Sequence, residues 1–446
     1  MTKHVTILGG GPAALAIGYY AGKKGVPFTI YEAKDRTGGN SVTLEYGDFL
    51  FDSGAHRFHD KDQEITVEIK NLLGSDLKRV TIPSKIYDHG AFVNFPLSSM
   101  DLLKNMGVVT FARAAIEVLR SRLAGKSAEE NFESFALHAY GNTIAQRFLL
   151  NYSEKLWGAS CNRLSPSIAG RRLEGLDLKS FIMDSLLGSK FGAKHMEGSF
   201  FYPEGGIGAI SEKLAEVCKK ENIHTDSKIT KVVHDNQRIC HVEINGTKMV
   251  DTDAVASTLP VDFFLEIMEP KPPEDVLLLS RGLRYRNVVL VAFFLDRESV
   301  TNAATVYFPD LGMPFTRVYE PKNRNRRMSP PGKTSLVVEI PCQREDTVWN
   351  MEDDELIRRV RTRLIDDIRW IREDEITGTS VSRLDHAYPI LELGFEEKLR
   401  GINAFLEGFD NLQLSGRNGK FVYSWIHNMM AFGRDIVEEY DSLNKG

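Results

Sequence analysis

The chain has 446 residues, more than one simple hydrophobic core accommodates, and this length predicts two or three lobes. Apolar residues make up 42% and charged residues 26% of the sequence, as is ordinary for a globular protein. A net charge of -5 excludes the broad basic field that marks a nucleic-acid-binding protein. We therefore expect no nucleic-acid partner. We also expect no membrane span, because no stretch approaches about 20 consecutive apolar residues.

The first elements are a strand, a helix and a second strand. Val5–Leu8 is a short apolar run that ends in glycines, which is typical of a buried parallel strand. Residues 12–24 are rich in alanine and predict a helix, and residues 28–31 predict the next strand. The sequence therefore opens with a βαβ unit, the core of a Rossmann-like α/β fold.

The turn between the first strand and the helix has the glycine pattern of a dinucleotide-binding site. Gly9 permits the tight turn, Gly11 lets the backbone approach a pyrophosphate, and Ala14 allows close packing of the helix on the strand. The free amides at the start of the helix attract the phosphate charge. The residues assigned to this cofactor turn are Gly9, Gly11, Pro12, Ala13 and Ala14.

An acidic residue ends the second strand. The carboxylate of Glu32 can accept hydrogen bonds from both hydroxyls of an adenosine ribose, and Ala33 follows it in the same cofactor-binding segment. Strand, glycine turn, helix, strand and terminal acid together predict a bound dinucleotide. The acid alone does not separate NAD from FAD.

The remainder of the chain changes character several times. Residues 96–195 have mainly helical periodicity, and we interpret them as a helical substrate or cap lobe inserted into the cofactor domain. Longer strands of antiparallel character follow, and Asn323–Pro331 is predicted to be a mobile loop. We therefore assign residues 1–95, 196–274 and 405–446 to a discontinuous cofactor-binding domain, residues 96–195 to the helical lobe, and residues 275–404 to an antiparallel-sheet substrate domain.

The cysteines give no sign of a metal site. They stand far apart and lack CxxC spacing, at Cys161, Cys218, Cys240 and Cys342. Free thiols favour a reducing compartment, and the first residues lack a secretory pattern. These features predict a cytoplasmic protein without a metal.

Three segments resemble the FAD enzymes related to amine oxidases. Residues 35–40, Asp-Arg-Thr-Gly-Gly-Asn, are similar to the Arg-x-Gly-Gly signature of that superfamily. Residues 414–419 resemble its returning C-terminal segment, and residues 256–260 resemble a strand end common in it. The resemblance implies that the discontinuous, Rossmann-like domain binds FAD. The further cofactor contacts that it implies are Gly38, Gly39, Asn40, His56, Gly416 and Arg417.

Other segments resemble the UDP-galactopyranose mutases, which belong to the superfamily of amine oxidases and protoporphyrinogen oxidases. Residues 54–59, Gly-Ala-His-Arg-Phe-His, are similar to a Gly-Ala-His-x-Phe-His segment of these mutases. Residues 152–157 resemble their Tyr-x-x-Lys-x-Trp segment. Residues 171–179 and 307–317 resemble the segments that carry their two diphosphate-binding arginines, and Tyr423 follows Arg417 at the mutase spacing.

This second resemblance implies a redox-neutral mutase that acts on a sugar nucleotide, with N5 of the reduced flavin as nucleophile. A diphosphate leaving group needs guanidinium groups and hydroxyl donors close to it. The side chains assigned to this site are Arg172 and Arg317 for the diphosphate, Tyr307 and Tyr423 as phosphate donors, His56 at the isoalloxazine, and Trp157 for stacking on a base or closing the pocket.

Departures from the mutase pattern leave alternatives open. Arg286 lies in a segment similar to the Tyr-Arg-Ser of bacterial mutases, so it competes with Arg317 for the second diphosphate role. Residues 424–428, Ser-Trp-Ile-His-Asn, replace an Asn-Gln-Asp-His run of fungal mutases. The alternative enzyme is an FAD-dependent oxidoreductase that transfers hydride from its substrate to the flavin, and a non-enzymatic flavin protein is a third possibility. The expected partners are a small-molecule substrate, a sugar nucleotide for the mutase, and an external electron donor or acceptor.

Overall fold

The computed structural model describes residues 3–95, 99–123, 130–169 and 199–445. Arg172 lies outside these ranges. The α-helices are α1 (Pro12–Lys24), α2 (Gln63–Leu73), α3 (Ser99–Leu123), α4 (Phe132–Ile144), α5 (Asn151–Trp157), α6 (Gly208–Cys218), α7 (Val261–Glu266), α8 (Glu274–Arg281), α9 (Asp353–Thr362), α10 (Phe395–Leu406), α11 (Gly416–Gly419) and α12 (Ile426–Lys445). The strands are β1 (Val5–Leu8), β2 (Phe28–Tyr31), β3 (Thr43–Tyr46), β4 (Phe49–Asp52), β5 (Leu77–Thr81), β6 (Ser84–Asp88), β7 (Ala91–Phe95), β8 (Ser199–Pro203), β9 (Ile223–His224), β10 (Ile229–His234), β11 (Ile239–Ile244), β12 (Lys248–Asp251), β13 (Ala254–Ser257), β14 (Met268–Glu269), β15 (Arg284–Leu295), β16 (Val306–Tyr307), β17 (Arg317–Tyr319), β18 (Thr334–Cys342), β19 (Ile376–Ile390) and β20 (Leu412–Leu414).

Five parallel strands form the sheet that the opening βαβ unit predicts. Their order is β20-β13-β1-β2-β9, so neighbouring strands come from distant parts of the sequence. β1 pairs in parallel with β2 on one side and with β13 on the other. All four residues of β1 are buried, which explains its unbroken apolar run. The predicted α/β fold class is thereby confirmed, with a sheet assembled from separated segments.

Helix α1 joins the glycine turn to the core of this sheet. It begins at Pro12, where the missing amide breaks no helical hydrogen bond, and it ends at Gly25 in the left-handed conformation, with φ 69°. Val437 and Tyr440, from the C-terminal helix α12, share a buried core with Ile17 of α1. The last helix of the chain therefore supports the helix that the first motif opens.

A seven-stranded sheet forms the second large layer, in the order β19-β15-β18-β17-β16-β6-β7. The long strands β15, β18 and β19 are antiparallel, as predicted for the longer strands of residues 275–404. Strands β6 and β7 come from the segment assigned to the cofactor domain, and they extend this sheet through a parallel pairing of β6 with β16. The sheet therefore draws on residues before the helical region as well as after it.

The helices between β7 and β8 lie beside the edge of that sheet. Helix α4 continues without a break into a π-helical turn, Ala145–Leu150, and then into α5. Asp88, at the end of β6, accepts two hydrogen bonds from Nε of Arg147 at 2.9 and 3.1 Å, which anchors the π-turn to the sheet. Among the described helices, none has both the length and the apolar character needed to cross a membrane.

The segment predicted to be a mobile loop is packed in part. Residues Pro321–Asn323 and Arg326–Met328 form short 3-10 turns. Arg324 between them is only 4% exposed, with its guanidinium 4.4 Å from the ring centroid of Tyr319. Part of the segment Asn323–Pro331, predicted to be a mobile loop, is therefore packed through Arg324, whereas Arg326 and Arg327 are exposed.

Candidate functional site

The glycine turn after β1 lies against the second glycine pair, and together they leave a floor without side chains. Gly9 has φ 97° and Gly39 has φ 55°, both in the region that favours glycine. A Cβ on Gly39 would lie 3.1 Å from Cα of Gly11, and the amide of Gly38 donates to the carbonyl of Gly10 at 2.8 Å. Only glycine allows these two backbones to approach so closely. The first amides of α1, which have no carbonyl partner within the helix, follow directly after this turn, and the arrangement fits a pyrophosphate.

Glu32 lies beside the same turn. Its side chain is buried, and its two carboxylate oxygens accept hydrogen bonds from the amides of Gly10, at 2.6 Å, and Lys34, at 2.9 Å. Each oxygen keeps a second lone pair for a ligand hydroxyl. The residues present therefore fit the dinucleotide that the sequence predicts.

Asn40 and Arg417, both expected at the cofactor, hold a strand of the second sheet. Nδ2 of Asn40 donates to the carbonyl of Asp385 at 2.9 Å, and Nη1 of Arg417 donates to the carbonyl of Ala387 at 2.8 Å. His386 between them has φ 49°, and its amide donates to Asn287 at 2.9 Å. The segments that contain Asn40 and Arg417 are therefore hydrogen-bonded to β19 on both sides of His386. The sequence does not reveal this contact.

A cavity of about 140 Å³ lies between the helical layer and the seven-stranded sheet. Aromatic and aliphatic side chains dominate its wall, and among the described lining residues Arg317 is the one cation. The lining residues are Ile86, Phe95, Phe132, Phe148, Leu149, Tyr152, Ser153, Leu156, Trp157, Ile168, Tyr307, Pro309 and Arg317. Three of the residues assigned to the substrate site, Trp157, Tyr307 and Arg317, thus share one cavity.

Arg317 is held by a buried carboxylate. Its Nε forms an ion pair with Glu339, which is 1% exposed and also accepts a hydrogen bond from the amide of Ala55 at 2.6 Å. Burial, the largest single effect, acts to lower the pKa of Arg317, but Glu339 together with Tyr152, Tyr307 and Tyr423 raises this pKa well above its ordinary value. The guanidinium is therefore charged, and it is held at the cavity wall by its ion pair.

His56 follows Ala55 and lies near three guanidinium groups. Burial first, and then the charges of Arg417 and Arg317, lower the pKa of its imidazole to about 3. The ring is therefore neutral at physiological pH. Its Nε2 is buried without a hydrogen-bond partner among the described residues. An unsatisfied buried nitrogen at this position fits a residue that faces a bound cofactor.

The aromatic residues of the site contact one another. The rings of Tyr307 and Tyr152 are 5.7 Å apart, and those of Trp157 and Tyr423 are 5.9 Å apart. Trp157 is only 2% exposed, so it belongs to the core as well as to the cavity wall. The guanidinium of Arg417 lies 5.3 Å from the ring of Tyr423, which connects this aromatic group to the cofactor-binding segment.

Arg286, the alternative to Arg317, occupies a different environment. It is 5% exposed, and it donates to the carbonyls of Leu156, Lys155 and Pro341 at 3.0 to 3.1 Å. Because its guanidinium donates hydrogen bonds to three backbone carbonyls, Arg286 joins α5 to β18. Of the two arginines, Arg317 is the one whose side chain reaches the cavity.

Three residues that contribute to the site, Glu339, Phe148 and Leu149, escaped the sequence analysis. Glu339 interrupts the apolar run of β18, and a lone carboxylate in a buried strand is the signal that identifies it. Phe148 and Leu149 face the cavity from the π-turn, which has no such signal because helical periodicity continues through it.

Comparison with known proteins gives a family and a fold. The model of the family described as flavin containing amine oxidoreductase matches residues 15–368. The chain is 20% identical to coproporphyrinogen III oxidase of Bacillus subtilis over 449 residues, with 93% of each chain covered. It is 23% identical over 327 residues to chloroplastic protoporphyrinogen oxidase 1 of Arabidopsis thaliana, and that match spans 67% of this chain and 60% of the plant protein.

Among solved structures, the crystal structure of reduced UDP-galactopyranose mutase is similar to this one. The TM-score is 0.86 at 19% sequence identity, with 99% of this chain and 96% of the other covered. The TM-score establishes a shared fold over almost the whole chain. At this low sequence identity, the similarity shows the fold and no more.

Proposed function

Because this chain belongs to the flavin containing amine oxidoreductase family and is thus a flavoenzyme, we propose that it binds FAD and acts as a sugar-nucleotide mutase similar to UDP-galactopyranose mutase. In this proposal residues 1–95, 196–274 and 405–446 hold the cofactor. Residues 96–195 and 275–404 hold the substrate.

The observation that carries the proposal is the charged, immobilised guanidinium of Arg317 in a cavity with an aromatic wall. A nucleoside diphosphate presents a planar base, which aromatic rings stack against, and two phosphates, which a guanidinium binds through paired hydrogen bonds. Tyr307 and Tyr423 supply hydroxyl donors, and Trp157 supplies the stacking surface. Arg172 remains the proposed second arginine.

FAD would supply, in its reduced form, the N5 nucleophile for the anomeric carbon of the sugar. The chain's own residues have three tasks. Arg317 stabilises the charge of the departing diphosphate and keeps it close for recapture. Glu32 orients the adenosine ribose. His56, held neutral, can hydrogen-bond the flavin without adding a positive charge to its ring.

The test is a turnover assay under anaerobic conditions with UDP-sugars and dTDP-sugars, with the protein either oxidised or reduced. We expect interconversion of ring forms only with the reduced protein, and stabilisation of the fold by UDP, because a ligand that binds the folded state raises the melting temperature. Equal turnover by the oxidised protein would contradict the proposal.

A second function has support from sequence, because the similarity to coproporphyrinogen III oxidase covers 93% of both chains. In this case the flavin accepts hydride from a substrate, and Arg317 binds a carboxylate or phosphate of that substrate. The same anaerobic protein preparation distinguishes the mutase from the oxidoreductase. Anaerobic bleaching of the flavin by a substrate, followed by peroxide on exposure to air, supports the oxidoreductase and not the mutase.

A further inference from the structure

The helix that covers the outside of the helical layer exposes a row of large apolar side chains. Gly107, with φ 76° and ψ 161°, breaks α3, so residues 108–123 form a separate straight segment. We call the exposed row on this segment the outer apolar face. Its members and their exposed fractions are Val108 (72%), Val109 (85%), Ile116 (50%), Leu119 (57%) and Leu123 (79%).

The spacing of these residues places them on one side of the helix. From Val109 to Leu123 they recur at intervals of seven, three and four, which follows the helical period. The opposite side is already used, because Ala114 and Val118 are 1% and 4% exposed. The segment is therefore apolar on two sides, although one side suffices to attach it to the protein. An exposed apolar row of this kind marks an interaction surface.

The charges around the outer apolar face select its partner. Residues 108–123 contain three arginines and one glutamate. That glutamate, Glu117, pairs with Arg113 at 3.0 Å and accepts from the amide of Thr143 at 2.7 Å, so its carboxylate points toward the protein. Lys104 and Arg120 are exposed. On this segment the exposed side chains of Arg113 and Arg120 therefore give the apolar row a basic edge, while the whole chain carries a net charge of -5.

A basic edge disfavours a second copy of this chain, because two such faces would bring like charges together. It favours an anionic surface. We propose that the outer apolar face docks on an anionic lipid bilayer, lying in the interface without crossing it. An apolar face bordered by lysine and arginine is the pattern of helices that bind in the plane of a membrane surface. This inference does not depend on which reaction the enzyme catalyses.

The test is co-sedimentation of the purified, flavin-loaded protein with vesicles. Vesicles of phosphatidylcholine alone are compared with vesicles that also contain phosphatidylglycerol. We expect binding to the anionic vesicles, weakened by salt, and little binding to the neutral ones. The variant Arg120→Gln should lower partitioning about fivefold, the effect of one basic residue near an anionic surface. The double variant I116E/L119E should abolish binding.

A control is Leu278→Glu, which places one carboxylate, half the charge of the double variant, at an exposed leucine of α8 (59% exposed) and should leave vesicle binding unchanged. Flavin content and melting temperature, measured for every variant, report on folding. Sedimentation velocity without vesicles tests whether a second copy of this chain occupies the outer apolar face instead. The proposal fails if anionic vesicles do not bind the protein, if I116E/L119E binds as well as the control, or if the face instead mediates a dimer that I116E/L119E dissociates.

Discussion

Glu339 connects the two parts of the site at the scale of single residues. Its carboxylate holds Arg317 at the wall of the cavity and accepts a hydrogen bond from the amide of Ala55, next to His56. Movement of this one side chain would shift both the proposed anion-binding group and the segment proposed to face the flavin. We therefore assign Glu339 a positioning role.

Arg317→Met should weaken UDP binding by about 1.5–3 kcal/mol, the range for a hydrogen bond to a charged group. It should also lower the free energy of unfolding, because it leaves the buried carboxylate of Glu339 without its charged partner. The double variant R317M/E339Q removes that charge, so it should recover stability but not UDP affinity. Isothermal titration and chemical denaturation separate the two effects. Unchanged UDP affinity in either variant would remove Arg317 from the proposed diphosphate site.

His56 should make the fold sensitive to acid. Its pKa is lowered to about 3, whereas the pKa of a histidine in an unfolded chain is about 6.5. As pH falls from about 6.5 toward 3, the unfolded state takes up a proton that the folded state does not, so stability decreases. His56→Gln should flatten the dependence of unfolding free energy on pH in this window. An equal slope for the unmodified protein and for His56→Gln would contradict the burial of a neutral imidazole.

The choice between Arg286 and Arg317 shows what residue-level prediction from sequence lacks. Both arginines stand in strands, and both resemble arginines of the mutases. The difference arises from backbone carbonyls at Leu156 and Pro341, far away in sequence, which occupy one guanidinium and not the other. Such contacts depend on the tertiary fold and have no local pattern.

At the scale of elements, the glycine turn makes the sharpest prediction. Gly39→Ala should impair flavin retention, because its Cβ would lie 3.1 Å from Cα of Gly11 and the backbone has φ 55°. Gly25→Ala is the control. It has a similar φ of 69° but open space around it, so it should lose about 1 kcal/mol of stability while keeping its flavin. Absorbance of the flavin after dialysis distinguishes the two. Equal retention would argue against a cofactor at this turn.

Local periodicity was sufficient for the regular elements. The predicted helix over residues 12–24 has the same bounds in the structure, because alanine content, Pro12 and the terminal glycine agree with one another. The π-turn was not predictable, since its apolar positions continue the helical pattern. The placement of β6 and β7 in the second sheet was not predictable either, because a strand's own sequence does not specify its partner.

At the scale of the whole molecule, the resemblance of ordered motifs predicted a fold that the comparisons confirm over almost the entire chain. The reaction is less determined by that fold. The proposed mutase and the alternative oxidoreductase would share the flavin domain but use the flavin differently, as a nucleophile or as a hydride acceptor. The fold therefore supports a flavin cofactor more firmly than it supports either reaction or its substrate.

Removal of the last segment should abolish flavin binding. A chain that ends at Glu407 lacks β20, the edge strand of the first sheet, and α12, which packs against α1. A chain that ends at Tyr440 keeps β20 and most of α12, including the hydrogen bond from this tyrosine to the carbonyl of Val255. We expect flavin absorbance only from the longer of the two purified proteins. Flavin bound to the shorter protein would show that the first sheet is complete without its final strand.

The strand order β20-β13-β1-β2-β9 also has a consequence for biosynthesis. A ribosome delivers β1, β2 and β13 before it delivers β20, the strand that closes one edge of their sheet. Until β20 has been made, β13 lacks one neighbour and offers its free edge to other nascent chains. A cofactor that needs the complete sheet would therefore bind only after β20 has been synthesised.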